Sequence, residues 1–181
     1  MTILHIDSSI SGEKSASRAI SRSIVDRVRR NDDSIIVRDL VADPLPHLTL
    51  DSFADSSVLD EFLDAETVVI GAPMYNFSLS SQLKSWLDRI LVAGRTFRYT
   101  DSGPEGLAGG KRVIVALARG GFYDSGSPAA ALEHLESYLR GVFNFIGIEP
   151  EFVAADGLAV SPDQRETSIR QALGDTVRLA A

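Results

Sequence analysis

Cysteine is absent from all 181 residues of this chain. That removes disulfides, thiolate-ligated metals, iron–sulfur clusters and thiol nucleophiles together. Histidine is scarce. His5, His47 and His134 stand at no metal-ligand spacing, and His5, inside an apolar run, reads as a core residue; no metal is expected. Positive charge is short too: 18 Lys and Arg against 25 Asp and Glu give a net charge of −7, which argues against nucleic-acid binding. No apolar run approaches the ~20 residues of a membrane span, and no basic region precedes the first strand-like run, so no membrane attachment and a cytoplasmic location are expected. Nucleotide fingerprints are missing as well. There is no Gly-x-Gly-x-x-Gly, and Gly109-Gly110-Lys111 precedes a strand rather than a helix, so it is no P-loop. A Gly-x-Ser-x-Gly elbow is also absent, and Asp32–Asp33 and Asp60–Glu61 read as solvated surface.

What is present is a regular alternation. Buried strands are expected at 2–7, 35–37, 68–70, 112–117 and 151–155, short β-branched or apolar runs bounded by breakers. Helical stripes fall between them. Ile20, Ile24 and Val28 mark the first; Phe53, Val58, Leu59, Phe62 and Leu63 the second; Leu79, Leu83, Trp86, Leu87 and Ile90 the third. Leu135, Leu139, Val142, Phe143 and Ile146 form the fourth, introduced by Ser127-Pro128 as cap and first turn. Ile169, Leu173 and Val177 form the last, behind Ser161, Pro162 and Gln164 as a capping box. Residues 93–110, with five glycines and a proline, read as a long loop. The expectation is one α/β domain over 1–181, a flavodoxin-like doubly wound sheet of five parallel strands in the order 2-1-3-4-5 with helices on both faces.

In such a sheet ligands bind at the carboxyl ends of the strands flanking the switch point. Three loops qualify. The first, 8–17, offers Ser9, Ser15 and Ser17 with the helix start at Ala16–Ser17, a phosphate site that needs no basic side chain. The second follows Val68-Val69-Ile70, where Gly71, Ala72 and Pro73 are expected to stop the strand and Met74, Tyr75, Asn76 and Phe77 present an apolar, aromatic surface to a flat ligand. The third, Ala118-Arg119-Gly120-Gly121, lets backbone approach a ring closely. No protein-borne acid–base constellation accompanies them, which fits a cofactor carrying the chemistry.

These residues resemble the FMN-dependent NADH:quinone oxidoreductases, also called azoreductases. The resemblance lies in Ser8-Ser9-Ile10 with Ser15-Ala16-Ser17, Ala72 to Phe77, Thr96-Phe97-Arg98-Tyr99-Thr100, Gly103-Pro104-Glu105-Gly106-Leu107, Arg119-Gly120-Gly121 and Phe145-Ile146-Gly147-Ile148. It implies one FMN per subunit, its phosphate held by Ser9, Ser15, Ala16 and Ser17. Pro73, Met74, Tyr75, Asn76 and Phe77 would line the isoalloxazine, with Gly120 and Gly121 at its pyrimidine side and Ala118 and Arg119 also binding the cofactor. Tyr99 and Phe122 would shape the substrate cavity. It implies a homodimer with both active sites at the interface, and ping-pong two-electron transfer from NADH to quinones or aromatic azo compounds. An FMN-binding electron carrier without NADH turnover is the alternative. Two departures stand out. Ala118 occupies a position where the family often has serine, and the segment between Asp43 and Glu66 is short.

Overall fold

A computed structural model describes residues 1–180. In chain order the strands are β1 (Thr2–Asp7), β2 (Ser34–Asp39), β3 (Thr67–Pro73), β4 (Phe97–Thr100), β5 (Gly103–Gly106), β6 (Arg112–Ala118) and β7 (Glu151–Ala155). The helices are α1 (Ala16–Val28), α2 (Ser57–Asp64), α3 (Ser81–Ile90), α4 (Glu136–Phe145) and α5 (Pro162–Asp175). Five strands form a parallel sheet in the order β2-β1-β3-β6-β7, and β4 and β5 pair antiparallel in a separate hairpin.

The α/β class and the five parallel strands are as the sequence suggests; the order 2-1-3-4-5 is not. The chain has seven strands, and the hairpin β4–β5 lies inside 93–110, the stretch read as a loop. Its two strands are four residues long, and only Phe97, Gly103 and Gly106 are even half-buried, so no apolar alternation betrays them. Three further boundaries differ. β3 runs through Gly71 and Ala72 to Pro73, which pairs with Ala118 as the last residue of the strand, where a missing N–H is tolerated. Ser127-Pro128 does not start α4. The Ser127 hydroxyl donates to the Phe122 carbonyl, and the Glu133 carboxylate accepts the Leu135, Glu136 and Ser137 amides to cap the helix instead. α3 begins at Ser81, capped by the Ser80 hydroxyl, rather than at 78 or 79. The Phe53 side chain lies outside the described residues.

Strand alternation sends side chains to two cores. Leu4, Ile6, Val68, Ile70, Val113, Val115 and Leu117 meet α2, α3 and α4, with Phe62 and Trp86 edge-to-face at 5.9 Å. Ile3, Val69, Ile114, Ala116 and Val153 meet Ile20 and Ile24 of α1 and Ala172 of α5. β3 is buried throughout because strands flank it and helices cover both its faces. β2 is the contrast. It is the sheet edge, and Ile35, Ile36 and Val37 are all exposed.

The hairpin docks on the end of α4 through one close approach. A Cβ on Gly106 would lie 2.1 Å from the Gly147 nitrogen and 2.2 Å from the Ile146 carbonyl carbon. Both are backbone, so neither can move aside cheaply. Gly106→Ala is expected to cost about 3 kcal/mol or more through overpacking. Urea unfolding midpoints check this; an unchanged midpoint would show that the hairpin is not docked there.

Candidate active site

The loop after β1 folds back on its own serines. The Ser8 hydroxyl donates to the Gly71 carbonyl at 2.8 Å, and the Ser15 hydroxyl caps α1 by accepting the Arg18 amide at 3.3 Å. The Ser15 and Ser17 hydroxyls lie 3.1 Å apart. Ser9, Ser15, Ala16 and Ser17 are all buried. Among the described residues, the backbone N–H groups of Ala16 and Ser17 have no acceptor. Buried first-turn amides at the positive end of a 13-residue helix are a ready place for an anion.

Arg18 is the residue that sequence reasoning missed. Its side chain turns away from the mouth of the loop. Nε and Nη2 donate to the Ser9 carbonyl at 3.3 and 3.0 Å, and Nη1 and Nη2 grip both oxygens of Asp39 at 2.7 and 2.8 Å. Asp7 stands 3.5 Å from Nη1. The Arg18 hydrogen bond, against the opposing effect of burial and helped by the Val41 and Ala42 amides, holds the Asp39 carboxyl down at about 2. Asp7 needs room of its own. A Cβ on Gly71 would sit 2.7 Å from its Oδ1 and 3.2 Å from Ser21 Oγ, so a larger residue would displace this hydrogen-bonded pair. Ser21 donates to the same oxygen at 3.1 Å and lies 2.9 Å from His5 Nε2, which gives the buried histidine a structural partner.

The loop after β3 is a tight turn. Tyr75 and Ser78 exchange backbone hydrogen bonds of 2.9 and 3.1 Å around Asn76 and Phe77, whose φ values are 47° and 71°. Asn accepts the left-handed region readily; Phe does so only at a cost on the order of 1 kcal/mol or more. Surrounding contacts enforce it. The Phe77 carbonyl accepts the His134 amide at 3.0 Å, and its ring packs edge-to-face on Tyr123 at 6.4 Å. The Tyr75 hydroxyl crosses to the first loop, 3.2 Å from Ser9 Oγ and accepting the Ile10 amide at 3.1 Å. A cavity of about 710 Å³ opens between the two loops and the start of α3, lined by Ile10, Met74, Tyr75, Asn76, Leu79 and Gln82 among others.

The third loop joins the same end of the sheet. The Met74 amide donates to the Ala118 carbonyl at 2.9 Å, and the backbone of 119–121 pairs with Ala155, Gly157, Leu158 and Ala159. Arg119 is turned inward. It holds both Asp156 oxygens at 2.6 and 3.0 Å, with Glu136 at 3.3 Å and Glu133 at 3.7 Å. Burial alone would lower its guanidinium, yet the Asp156 hydrogen bond and the three carboxylates raise it above its ordinary value. Tyr99 and Phe122 do not line the 710 Å³ cavity. Tyr99 stands 75% exposed on β4, and Phe122 lies over Gly157. The structure thus brings the serine loop, Pro73–Phe77 and Ala118–Gly121 to one end of the sheet, while the cavity itself is lined, of the expected site residues, by Met74, Tyr75 and Asn76. No group of three or more His, Asp or Glu among the described residues is placed to hold a metal.

A protein family described by its flavodoxin-like fold matches residues 1–179. The FMN-dependent NADH:quinone oxidoreductase 2 of Bradyrhizobium diazoefficiens is 52% identical, with all of both chains covered. A Methylorubrum extorquens FMN-dependent NADH:quinone oxidoreductase is 52% identical with the same coverage. Among solved structures, an azoreductase from Bacillus anthracis superposes with a TM-score of 0.88 at 28% identity over 99% of this chain and 98% of that one. An FMN-dependent NADH-azoreductase of the same species, solved in complex with FMN, gives 0.86 at 27% identity over 99% of each chain.

The Arg18–Asp39 pair sets an acid limit. Because Asp39 is depressed in the fold from 3.8 to about 2, its contribution to stability is complete above about pH 4 and is lost as pH falls through 2. The stability gap between the wild type and Asp39→Asn, read from urea midpoints, should therefore be constant at neutral pH and close between about pH 4 and pH 2. A gap that stays open at the acid end would show that the Asp39 charge is not what Arg18 holds.

Proposed function

The chain belongs to the FMN-dependent NADH:quinone oxidoreductases of flavodoxin-like fold, and from that membership we infer how its loops divide the work. It is an enzyme with NADH-azoreductase activity as well. Bound FMN supplies two-electron transfer from NADH to a quinone or an aromatic azo compound, in ping-pong order. The residues of the chain supply the binding, the orientation and the shape of the cavity.

The observation that carries the assignment of the site is the pair of unpaired, buried amides at Ala16 and Ser17, beside a loop locked left-handed at Asn76 and Phe77. A phosphate fits the first, with Ser9, Ser15 and Ser17 hydroxyls around it. A flat ring fits the second, resting on Pro73, Met74 and Tyr75. Tyr75 spans both, so ordering one loop orders the other. Gly120 and Gly121 support a ring edge at the third loop. A Cβ on either would meet only ordinary contacts at 3.4 Å within the chain, so internal packing does not demand glycine there. Ala118 carries no hydroxyl to offer the ring. Arg119 then acts as a positioning residue that fixes the glycine backbone rather than a direct ligand.

NADH as donor follows from the family. Arg119 is turned inward on its carboxylates, and Arg98 pairs with Glu105 on the open surface rather than in a built pocket for a 2′-phosphate. The reading also includes a homodimer with active sites at the interface. The exposed Tyr99 and Phe122 are the side chains suited to cover the cavity of a second copy, and the apolar groove of Leu91, Tyr138, Val142 and Phe145 suits a partner face. A single domain and a cytoplasmic location complete it. No helix among the described residues is long and apolar enough to cross a membrane.

Adding NADH to the FMN-loaded protein should bleach the flavin, and a benzoquinone should restore its colour; flavin that stays oxidised with NADH refutes turnover. Ser17→Asp places a charge against the phosphate and should weaken FMN binding at least about tenfold, or ~1.4 kcal/mol, with unchanged circular dichroism. Unchanged FMN affinity would remove the phosphate from that loop. Phe77→Gly should leave the fold intact, since glycine takes φ 71° without cost, while turnover falls. Full activity in that variant would mean the Phe77 side chain does not serve the cavity.

A further inference from the structure

The outer edge of β2 has no strand beside it among the described residues, and it is unprotected. Natural edge strands are blunted by lysine, proline, bulges or charges pointing at an intruder. Ser34–Asp39 has neither lysine nor proline, and its register with β1 is continuous over all six residues, with no bulge. The two charges at its end are already engaged, Arg38 with Glu61 at 2.7 Å and Asp39 with Arg18. Between them and Ser34 lie three consecutive apolar residues, Ile35 and Ile36 at 37% exposure and Val37 at 63%. Both faces contribute. Ile35 and Val37 lie in register with Ile3 and His5 on the α1 side, and Ile36 with Leu4 on the side of the eight-residue α2.

We propose that β2 pairs antiparallel with β2 of a second copy, across a two-fold axis through Ile36, joining two five-stranded sheets into one. An axis perpendicular to the sheet keeps the α1 faces of both copies on the same side. Odd-numbered residues then oppose odd, and even oppose even. Centred on Ile36, the register sets Ile36 against Ile36, and Ile35 against Val37 in both directions. All three exposed apolar side chains find apolar partners at once. Arg38, held by Glu61 within its own copy, falls opposite the uncharged Ser34 of the second copy, so no like charges meet between Ser34 and Arg38. Beyond them Asp39 faces Asp33, each already neutralised, by Arg18 and by the N-terminal amine. Isologous pairing of this kind is self-complementary and closes at two copies per edge. It lies along the sheet edge, separate from the loops that hold the cofactor, so it joins copies beyond any dimer formed around the active site.

The cysteine-free sequence makes the register directly testable, because an introduced cysteine is unique. Ile36→Cys lies on the axis and should give a disulfide-linked pair on mild oxidation of the FMN-loaded protein. Its yield should exceed by about tenfold that of Val160→Cys, an exposed position away from the edge. Sedimentation velocity of the wild type should show mass rising with concentration, and Val37→Lys should raise the dissociation constant of that step about tenfold or more, with flavin content unchanged. Equal cross-linking in Ile36→Cys and Val160→Cys overturns the pairing. So does self-association that Val37→Lys leaves intact, since the edge would then serve some other partner. Preferential cross-linking of Ile35→Cys over Ile36→Cys overturns the register.

Discussion

The candidate site depends on one ion pair it does not display. Arg18 joins the Ser9 carbonyl, Asp39 at the end of β2 and Asp7 at the end of β1, fastening the serine loop to the sheet from behind. With the loop so fastened, the first turn of α1 keeps the buried, unpaired amides of Ala16 and Ser17 in place. Without it, those amides would have no fixed direction, and a helix terminus attracts an anion only when its donors converge. The guanidinium is therefore used for architecture, and the binding of an anion is left to dipoles. That division suits a chain of net charge −7, which has few cations to place.

The same economy recurs at the other loops. Tyr75 belongs by sequence to the aromatic turn but hydrogen-bonds the serine loop, so the two halves of the site share one support. Phe77 is held left-handed by His134 and Tyr123, which come from the distant segment before α4. Arg119 commits all three of its guanidinium nitrogens to Asp156 and Glu136 rather than to a ligand. Each strained or charged element is restrained by a partner far along the chain. The site is pre-formed rather than assembled from flexible pieces.

These long separations explain what the sequence revealed and what it hid. The parallel strands were legible because burial on two faces leaves continuous apolar runs such as Val68-Val69-Ile70. The three loops were legible because the fold class dictates which strand ends converge. The hairpin β4–β5 was not, since its four-residue strands bury little and leave no apolar alternation. The start of α4 was misplaced because Ser127-Pro128 is a strong local capping pattern, whereas Glu133 caps with a longer side chain that no short pattern describes. The role of Arg18 was invisible for another reason. Nothing local to Arg18 signals a brace, because its partner Asp39 lies 21 residues away at the end of β2. Arg119 was placed beside a ring for the same reason, with Asp156 and Glu136 unseen.

Charge that is fully committed inside the fold has a further consequence at its edge. Arg38 and Asp39 would ordinarily guard β2, but Glu61 and Arg18 already hold them. The tie that orients the serine loop thus draws on the charge that an edge strand normally uses to repel another. With α2 only eight residues long, no helix makes good the loss over Ile36. Site architecture and the lack of a free charge guarding that edge meet at a single carboxylate, Asp39, while the Ile35-Ile36-Val37 run is exposed because β2 ends the sheet.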